Sequence, residues 1–394
     1  MTDMQFTNGA LILADRLLDG HLVVHAGRIA EIGTGAKPAF SGETIDLHGG
    51  YLAPGFVDLH VHGGACADFM DGTDEAFRTV CQAHARHGTT SLLATSTVAR
   101  HEQIIDFLQH CRHFQKDDTG GARVLGAHFY GPYFAPDARG CHPRAALRPP
   151  DSREFQEYLS FADCLKRVTV APELPHAEAF VRACVERGIG ANAGHSHATF
   201  AQMETAIGWG VRHVDHLFCA MSDRARLRQT QTYPMRGGVM EATLFFDELT
   251  TEVIADGKHL SAELLKLAYK IKGPDRLALV TDCSRALDML DGEYLFGPLD
   301  GGEPIVRRDG VGLMRDGSAL ASAVMGMDHM VRTFHRLTGV PLVETVRMAS
   351  LTPARIAGHD RDIGSINVGK RADLLVLDRE LAIQAVFRDG VRVV

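Results

Sequence analysis

Between residues 54 and 282 eight short apolar segments alternate with stretches of helical period, and no other feature of this 394-residue chain restricts its fold so tightly. The segments are 54–60 (PGFVDLH), 89–96 (TTSLLATS), 123–130 (RVLGAHFY), 167–172 (RVTVAP), 189–195 (IGANAGH), 211–217 (VRHVDHL), 251–256 (TEVIAD) and 277–282 (LALVTD). Each has the length of a buried strand. Between most of them lie amphipathic runs such as DEAFRTVCQAHARHG, HEQIIDFLQHCRHF, PHAEAFVRACVERG and HLSAELLKLAYKI, whose apolar residues recur at helical spacing. Eight such units predict an α/β chain built as a parallel (β/α)8 TIM barrel. An open doubly wound sheet shares the alternation but usually carries a glycine-rich phosphate loop after its first strand. Here the first strand is followed only by HGG after a histidine pair, so the barrel is preferred.

The two ends differ from the middle. MQFTNGALIL, HLVVHAGRIAEIG and ETIDLHGGYLAPG near the start, and GSINVGKRADLLVLD and IQAVFRDGVRVV at the finish, read as short strands joined by tight turns. Chain termini often lie close together. The reading is therefore a small β-sandwich domain made of residues 1–53 plus 358–394, around a catalytic barrel at 54–357.

Charge and cysteine content remove several classes of function. The formal charge is −8 with both signs interspersed and without a basic run, which argues against a nucleic-acid or anionic-membrane partner. There is no apolar stretch of the roughly 18 residues that a membrane span needs, and the start has no signal-peptide pattern. A cytoplasmic protein is expected. Eight cysteines without a CxxC pair read as buried thiols rather than a disulfide framework or a thiolate zinc site.

The unusual residue is histidine, 21 in all. Residues i and i+2 of a strand share a face, so His60 and His62 in DLHVH point the same way. In a barrel, chemistry collects where strands end at the C-terminal rim. The other strand ends bring Tyr130, His195, His216 and Asp282. Singly, each of these histidines would more often be an ordinary core or rim residue. Together, four imidazoles and a carboxylate on one rim suit a borderline divalent cation, zinc first, with iron, cobalt or manganese also compatible.

Several motifs add a resemblance. PGFVDLHVHG, GPYF with RGCHP, VTVAPE, AGHSHATF, HLFCAM, VTDC, and LTPARIAG with GSINVGKRADLLVLD resemble the metal-dependent amidohydrolase superfamily and, within it, the N-acetylglucosamine-6-phosphate deacetylases. The resemblance covers nearly the whole chain. It implies that His60, His62, His195, His216 and Asp282 serve the metal, that Asp282 is the general base and acid, and that His259 in ADGKHLS polarises the substrate carbonyl. It also implies substrate contacts from His142, from Cys219-Ala220 and from the arginine-rich stretch that includes Arg228. A homodimer is implied as well, since an arginine from a neighbouring subunit reaches the site in resembling enzymes.

The chain departs from that pattern in its pocket. Tyr130 stands where the resembling deacetylases have a metal-binding glutamate. A phenol with an ordinary pKa near ~10 is a poorer ligand at neutral pH than a carboxylate ionised above ~4.3. One cation per chain is therefore expected, held by His60, His62, His195 and Asp282, with His216 on the attacking water. For Tyr130 two roles are open, a hydrogen bond to a developing oxyanion or packing against Pro132 and Tyr133. Cys219 replaces an asparagine that contacts the sugar phosphate, and His197 replaces another asparagine. Arg224, Arg226, Arg228 and Arg236 keep an anionic substrate in view, because guanidinium groups bind phosphate bidentately. The expected reaction is hydrolysis of an amide C–N bond, foremost deacetylation of an anionic N-acetylated amino sugar. Another amide, such as a cyclic amide or an N-acyl amino acid, and a non-catalytic ligand-binding relative are the alternatives.

Overall fold

The computed structural model describes residues 3–35, 40–222 and 234–394. Eight parallel strands, Phe56–Val61, Thr89–Thr95, Arg123–Tyr130, Leu165–Val170, Gly190–Ala193, Val211–Val214, Thr250–Ile254 and Leu277–Val280, are hydrogen-bonded in chain order. Each of the eight predicted segments contains most or all of one strand. The first two are buried along their whole length, as strands covered on both faces must be. A helix follows every strand, from Asp74–Arg86 after the first to Met327–Thr338 after the eighth.

The sheet closes between its first and eighth strands. Asp282 N–H donates to the His60 carbonyl at 2.9 Å, and the N–H groups of His62 and Gly63 donate to the Cys283 carbonyl at 3.0 and 2.9 Å. The buried Asp58 carboxylate accepts a hydrogen bond from the Thr281 hydroxyl at 2.6 Å across the same seam. Closure sets the first-strand histidines beside the aspartate that follows the eighth strand.

The strands from the two chain ends form one further eight-stranded sheet, in which Tyr51–Pro54 pairs antiparallel with Leu374–Leu377. Its core contains Phe6, Leu22, Val24 and Leu52 from the start of the chain and Leu374 and Phe387 from its end. The rings of Phe6 and Phe387 meet edge to face at 5.2 Å. We propose residues 1–53 with 358–394 as one folding unit and 54–357 as the other. The sequence reading did not separate a third element, the antiparallel strands Gly292–Phe296, Glu303–Arg308 and Val311–Met314. These fold back after the eighth strand and bring Phe296 to the rim, 5.0 Å from the rings of both His62 and His142.

Arg123, at the start of the third barrel strand, joins barrel and terminal sheet. Its guanidinium donates to Asp373 at 2.8 Å and to Asp389 at 2.6 Å, and Asp373 is buried. Removing one partner of a buried ion pair strands the other charge. Arg123→Met is expected to lower the unfolding free energy by about 3 kcal/mol, read by urea denaturation; a loss below about 0.5 kcal/mol, the range of ordinary surface changes, would show that the clamp contributes little.

Candidate functional site

The side chains expected at the rim reach it from the ends of the first, third, fifth, sixth and eighth strands of the barrel. His60 lies in the first strand and His62 just beyond it, Tyr130 ends the third, and His195, His216 and Asp282 each stand two residues past the last strand residue of their unit. His195, His216 and Asp282 adopt left-handed backbone, with φ of 46°, 23° and 50°. That conformation costs a non-glycine residue roughly 1–3 kcal/mol and clusters at functional sites. Here it turns the chain sharply at the strand end. After His195 the chain is caught at once, because Thr199 caps the next helix by accepting from Gln202 N–H while the Gln202 side chain accepts from Thr199 N–H.

Three donors gather. Ring nitrogens of His60 and His62 and a carboxylate oxygen of Asp282 lie within 4.8 Å of one another, with His62 Nε2 3.2 Å and His60 Nε2 3.5 Å from Asp282 Oδ1. His60 Nε2 and both ring nitrogens of His62 are buried without a hydrogen-bond partner. A buried polar atom left unpaired is costly, so orphaned nitrogens beside a carboxylate form a donor set that fits a divalent cation. His195, expected with this group, stands elsewhere: its Nε2 lies 3.2 Å from His216 Nε2, and its Nδ1–H donates to the Ala138 carbonyl at 2.7 Å. The Tyr130 hydroxyl meets His216 Nε2 at 2.5 Å. The Tyr130 ring sits edge-on to His60 at 4.4 Å and to Phe134 at 4.9 Å.

Sequence reasoning missed the residues that hold these ligands. Glu252, in the seventh strand, accepts from His60 Nδ1–H at 2.7 Å and faces His213 Nε2 at 3.2 Å. It is fully buried. A glutamate inside the apolar TEVIAD run was the available signal. Asp215 accepts from Thr169 at 2.6 Å and from Asn192 at 2.7 Å, and burial, reinforced by Glu252, pushes its carboxyl above the usual carboxylate range. His60 shows the resulting field. Burial works against its charged form, yet the Asp282 and Glu252 carboxylates outweigh burial and raise it to about 9. Asp282 is likewise opposed by burial but held far below the usual carboxylate range by His60 and His62. His195 and His216 are driven the other way by burial, His216 down to about 4. The site thus draws positive charge to the His60 side and keeps the His195 and His216 rings neutral.

Above the donors lies a cavity of about 530 Å³ lined by His62, Tyr130, His142, His195, His216, Cys219, Ala220, His259 and Asp282 among others. The described lining includes no lysine or arginine, and Arg228, with Arg224 and Arg226, lies outside the described residues. His142 is buried and takes the Val98 N–H on Nδ1 at 3.3 Å, which leaves its Nε2–H as a donor. Asp256 accepts from His259 Nδ1–H at 2.7 Å and from the backbone N–H groups of Lys258 and His259, both at 2.8 Å. Burial lowers the pKa of His259, but the Asp256 bond and charge prevail and raise it.

Comparison with known proteins identifies the family. Residues 51–393 match the model of the amidohydrolase family. The chain is 31% identical over 370 residues to the N-acetylglucosamine-6-phosphate deacetylase of Bacillus subtilis, covering 93% of this chain and 90% of that one. It is also 31% identical over 383 residues to the N-acetylgalactosamine-6-phosphate deacetylase of Escherichia coli O157:H7, covering 96% and 98%. Among solved structures, a mutant of the N-acetyl-D-glucosamine-6-phosphate deacetylase of Mycobacterium smegmatis, in complex with N-acetyl-D-glucosamine-6-phosphate, superposes with a TM-score of 0.91 at 30% identity over the full length of both chains.

A carboxylate that fixes the ring of a metal-ligating histidine typically matters 10- to 100-fold in metal affinity. Glu252→Gln is expected to weaken zinc binding by about that factor, measured by competition with a chromogenic chelator. An unchanged affinity in the folded variant would remove Glu252 from this role.

Proposed function

The chain belongs to the amidohydrolase family, and from that premise we propose that it removes the acetyl group of an N-acetylated amino sugar 6-phosphate, releasing acetate and the free amine. The observation that carries the reading is the set of unpartnered His60 and His62 nitrogens beside Asp282 at the floor of a cavity of sugar size. Similarity to an N-acetylglucosamine-6-phosphate and an N-acetylgalactosamine-6-phosphate deacetylase at the same identity supports the substrate class and leaves both epimers as candidates.

One divalent cation per chain is proposed, held by His60, His62 and Asp282 with an open position toward His195 and His216. Two imidazoles, a carboxylate and an open position favour zinc. When bound, such a cation lowers the pKa of a water towards ~7 and polarises a carbonyl. Asp282, ionised at neutral pH, takes the proton of the attacking water and returns it to the nitrogen as the C–N bond breaks. His259, whose charged form the Asp256 carboxylate favours, donates from Nε2 to the carbonyl oxygen as it gains charge. His142, Cys219 and Ala220 border the substrate. The described lining has no lysine or arginine, and the charged form of its His259, favoured by Asp256, can face an anionic substituent. No described helix is long and apolar enough to cross a membrane; a cytoplasmic homodimer is the proposed setting, carried by the family resemblance.

Acetate release from N-acetylglucosamine-6-phosphate and N-acetylgalactosamine-6-phosphate, each with its unphosphorylated counterpart, tests the reading. Turnover of at least one phosphorylated sugar is expected; a metal-replete enzyme inert to all four would refute it. Asp282→Asn should reduce kcat by about 10³-fold or more while retaining the circular-dichroism spectrum. The pH profile tests His259. Its raised pKa means that the donating, charged form is present at low pH and lost as pH rises through the folded value. Asp256→Asn removes the cause of the rise, so the alkaline limb of kcat/KM should move to lower pH; a limb that does not move would separate His259 from the profile.

A further inference from the structure

Phe296 is a buried aromatic ring in the cavity wall that the proposed reaction does not use. It is 1% exposed and ends the strand Gly292–Phe296 of the inserted antiparallel sheet. Its ring meets those of His62 and His142 edge to face, each at 5.0 Å, with interplanar angles of 72° and 77°. At that spacing the rings touch, so no substrate atom fits between Phe296 and the imidazole of the cation donor His62. We propose that Phe296 sets the size of the acyl group the site accepts, admitting the methyl of an acetyl group and excluding longer chains.

Two observations carry the inference. The first is how firmly the ring is held. The buried Arg285 guanidinium donates to the carbonyls of the residues on either side of it, Leu295 at 2.8 Å and Gly297 at 2.7 Å. Arg285 in turn donates to both carboxylate oxygens of Asp71, at 2.8 and 3.2 Å, and the Gly297 N–H donates to the buried Asp68 at 3.3 Å. Asp68 and Asp71 follow the first barrel strand, as His62 does, and Arg285 lies just beyond Asp282. The loops that bring the cation donors together therefore also fix Phe296 against them. Cys141, Ile305, Met314 and Ala321 pack with the ring in one apolar cluster, which a retreat of the ring would disrupt.

The second is the geometry of the amide. A secondary amide is planar and trans, so its acyl substituent and the sugar carbon lie on opposite sides of the C–N bond. With the carbonyl at the His60, His62 and Asp282 donors, the sugar phosphate, by far the larger group, takes the open mouth of the cavity. The acyl substituent then turns to the closed end, where Phe296, buried and in contact with His62, presents apolar surface. A fixed ring accepts a group that fits and resists each added methylene, because close-packed interiors yield little. The inference rests on the amide substrate named under the proposed function.

The experiment compares kcat/KM for N-acetyl-, N-propionyl- and N-butyrylglucosamine 6-phosphate, and for the galactosamine series, by detecting the freed amine. Wild type is expected to lose roughly 10–200-fold from acetyl to propionyl, the range of one excess methylene in an apolar pocket, and more to butyryl. In Phe296→Ala the propionyl-to-acetyl ratio should rise by at least about tenfold. A merely structural role of the ring would lower activity on all three acyl groups alike and leave the ratio unmoved. A wild type that cleaves acetyl and propionyl sugars equally well overturns the proposal, as does an active Phe296→Ala with the wild-type ratio; both results leave the deacetylase reading standing. A wild type inert toward the acetylated sugars overturns that reading and the acyl limit with it. Should Phe296→Ala fail to fold or to turn over, Phe296→Leu, which keeps an apolar side chain in the cluster, decides by the same ratio.

Discussion

The seam where the first barrel strand meets the eighth is the constraint on which the rest depends. Backbone bonds from Asp282 to His60 and from His62 to Cys283 lock together residues more than two hundred positions apart, and the Asp58–Thr281 bond fills the space beneath. Were that seam open, the two histidines and the aspartate would lie on opposite edges of a sheet. Closed, it sets three donors within one coordination sphere. The donors therefore inherit their precision from the barrel's hydrogen bonding rather than from their own flexible side chains, which is how rigid scaffolds pre-organise a site.

Beneath the rim, charge is arranged in layers. Glu252 links His60 to His213, and Asp215 is fixed by Thr169 and Asn192. Asn192 in turn accepts from the buried Arg167. Such a network is stable because its members find partners inside a low-dielectric interior. Its upper end is the exception. The nitrogens that point at the cavity from His60 and His62 have no partner, and the left-handed backbone at His195, His216 and Asp282 adds local strain at the same place. Stability is given up at the rim and recovered in the barrel walls, a pattern expected where a ligand completes the site.

The sequence made the barrel legible because its strands are short, continuous and separated by helices of clear period; the strand ends then nominated His60, His62, Tyr130, His195, His216 and Asp282 without knowledge of distances. What it could not express was pairing across the barrel. Nothing in the pattern said that His195 would turn to His216 and Tyr130 while His60 and His62 kept Asp282, since those choices depend on rotamers and strand register. Glu252 was hidden for a related reason, lying mid-strand in an apolar run where its role is visible only once His60 is seen 2.7 Å away. The strands Gly292–Met314 and their Phe296 were missed because alternation in a short insertion resembles that of an ordinary loop.

The central claim is that His60, His62 and Asp282 form the cation site, set by the closure of the barrel. Anomalous diffraction from zinc-loaded crystals at the zinc absorption edge tests it most directly. The account predicts one strong peak per chain within bonding distance of His60 Nε2, a His62 ring nitrogen and an Asp282 carboxylate oxygen. A peak seated between His195 and His216, or none at the first-strand pair, would contradict it.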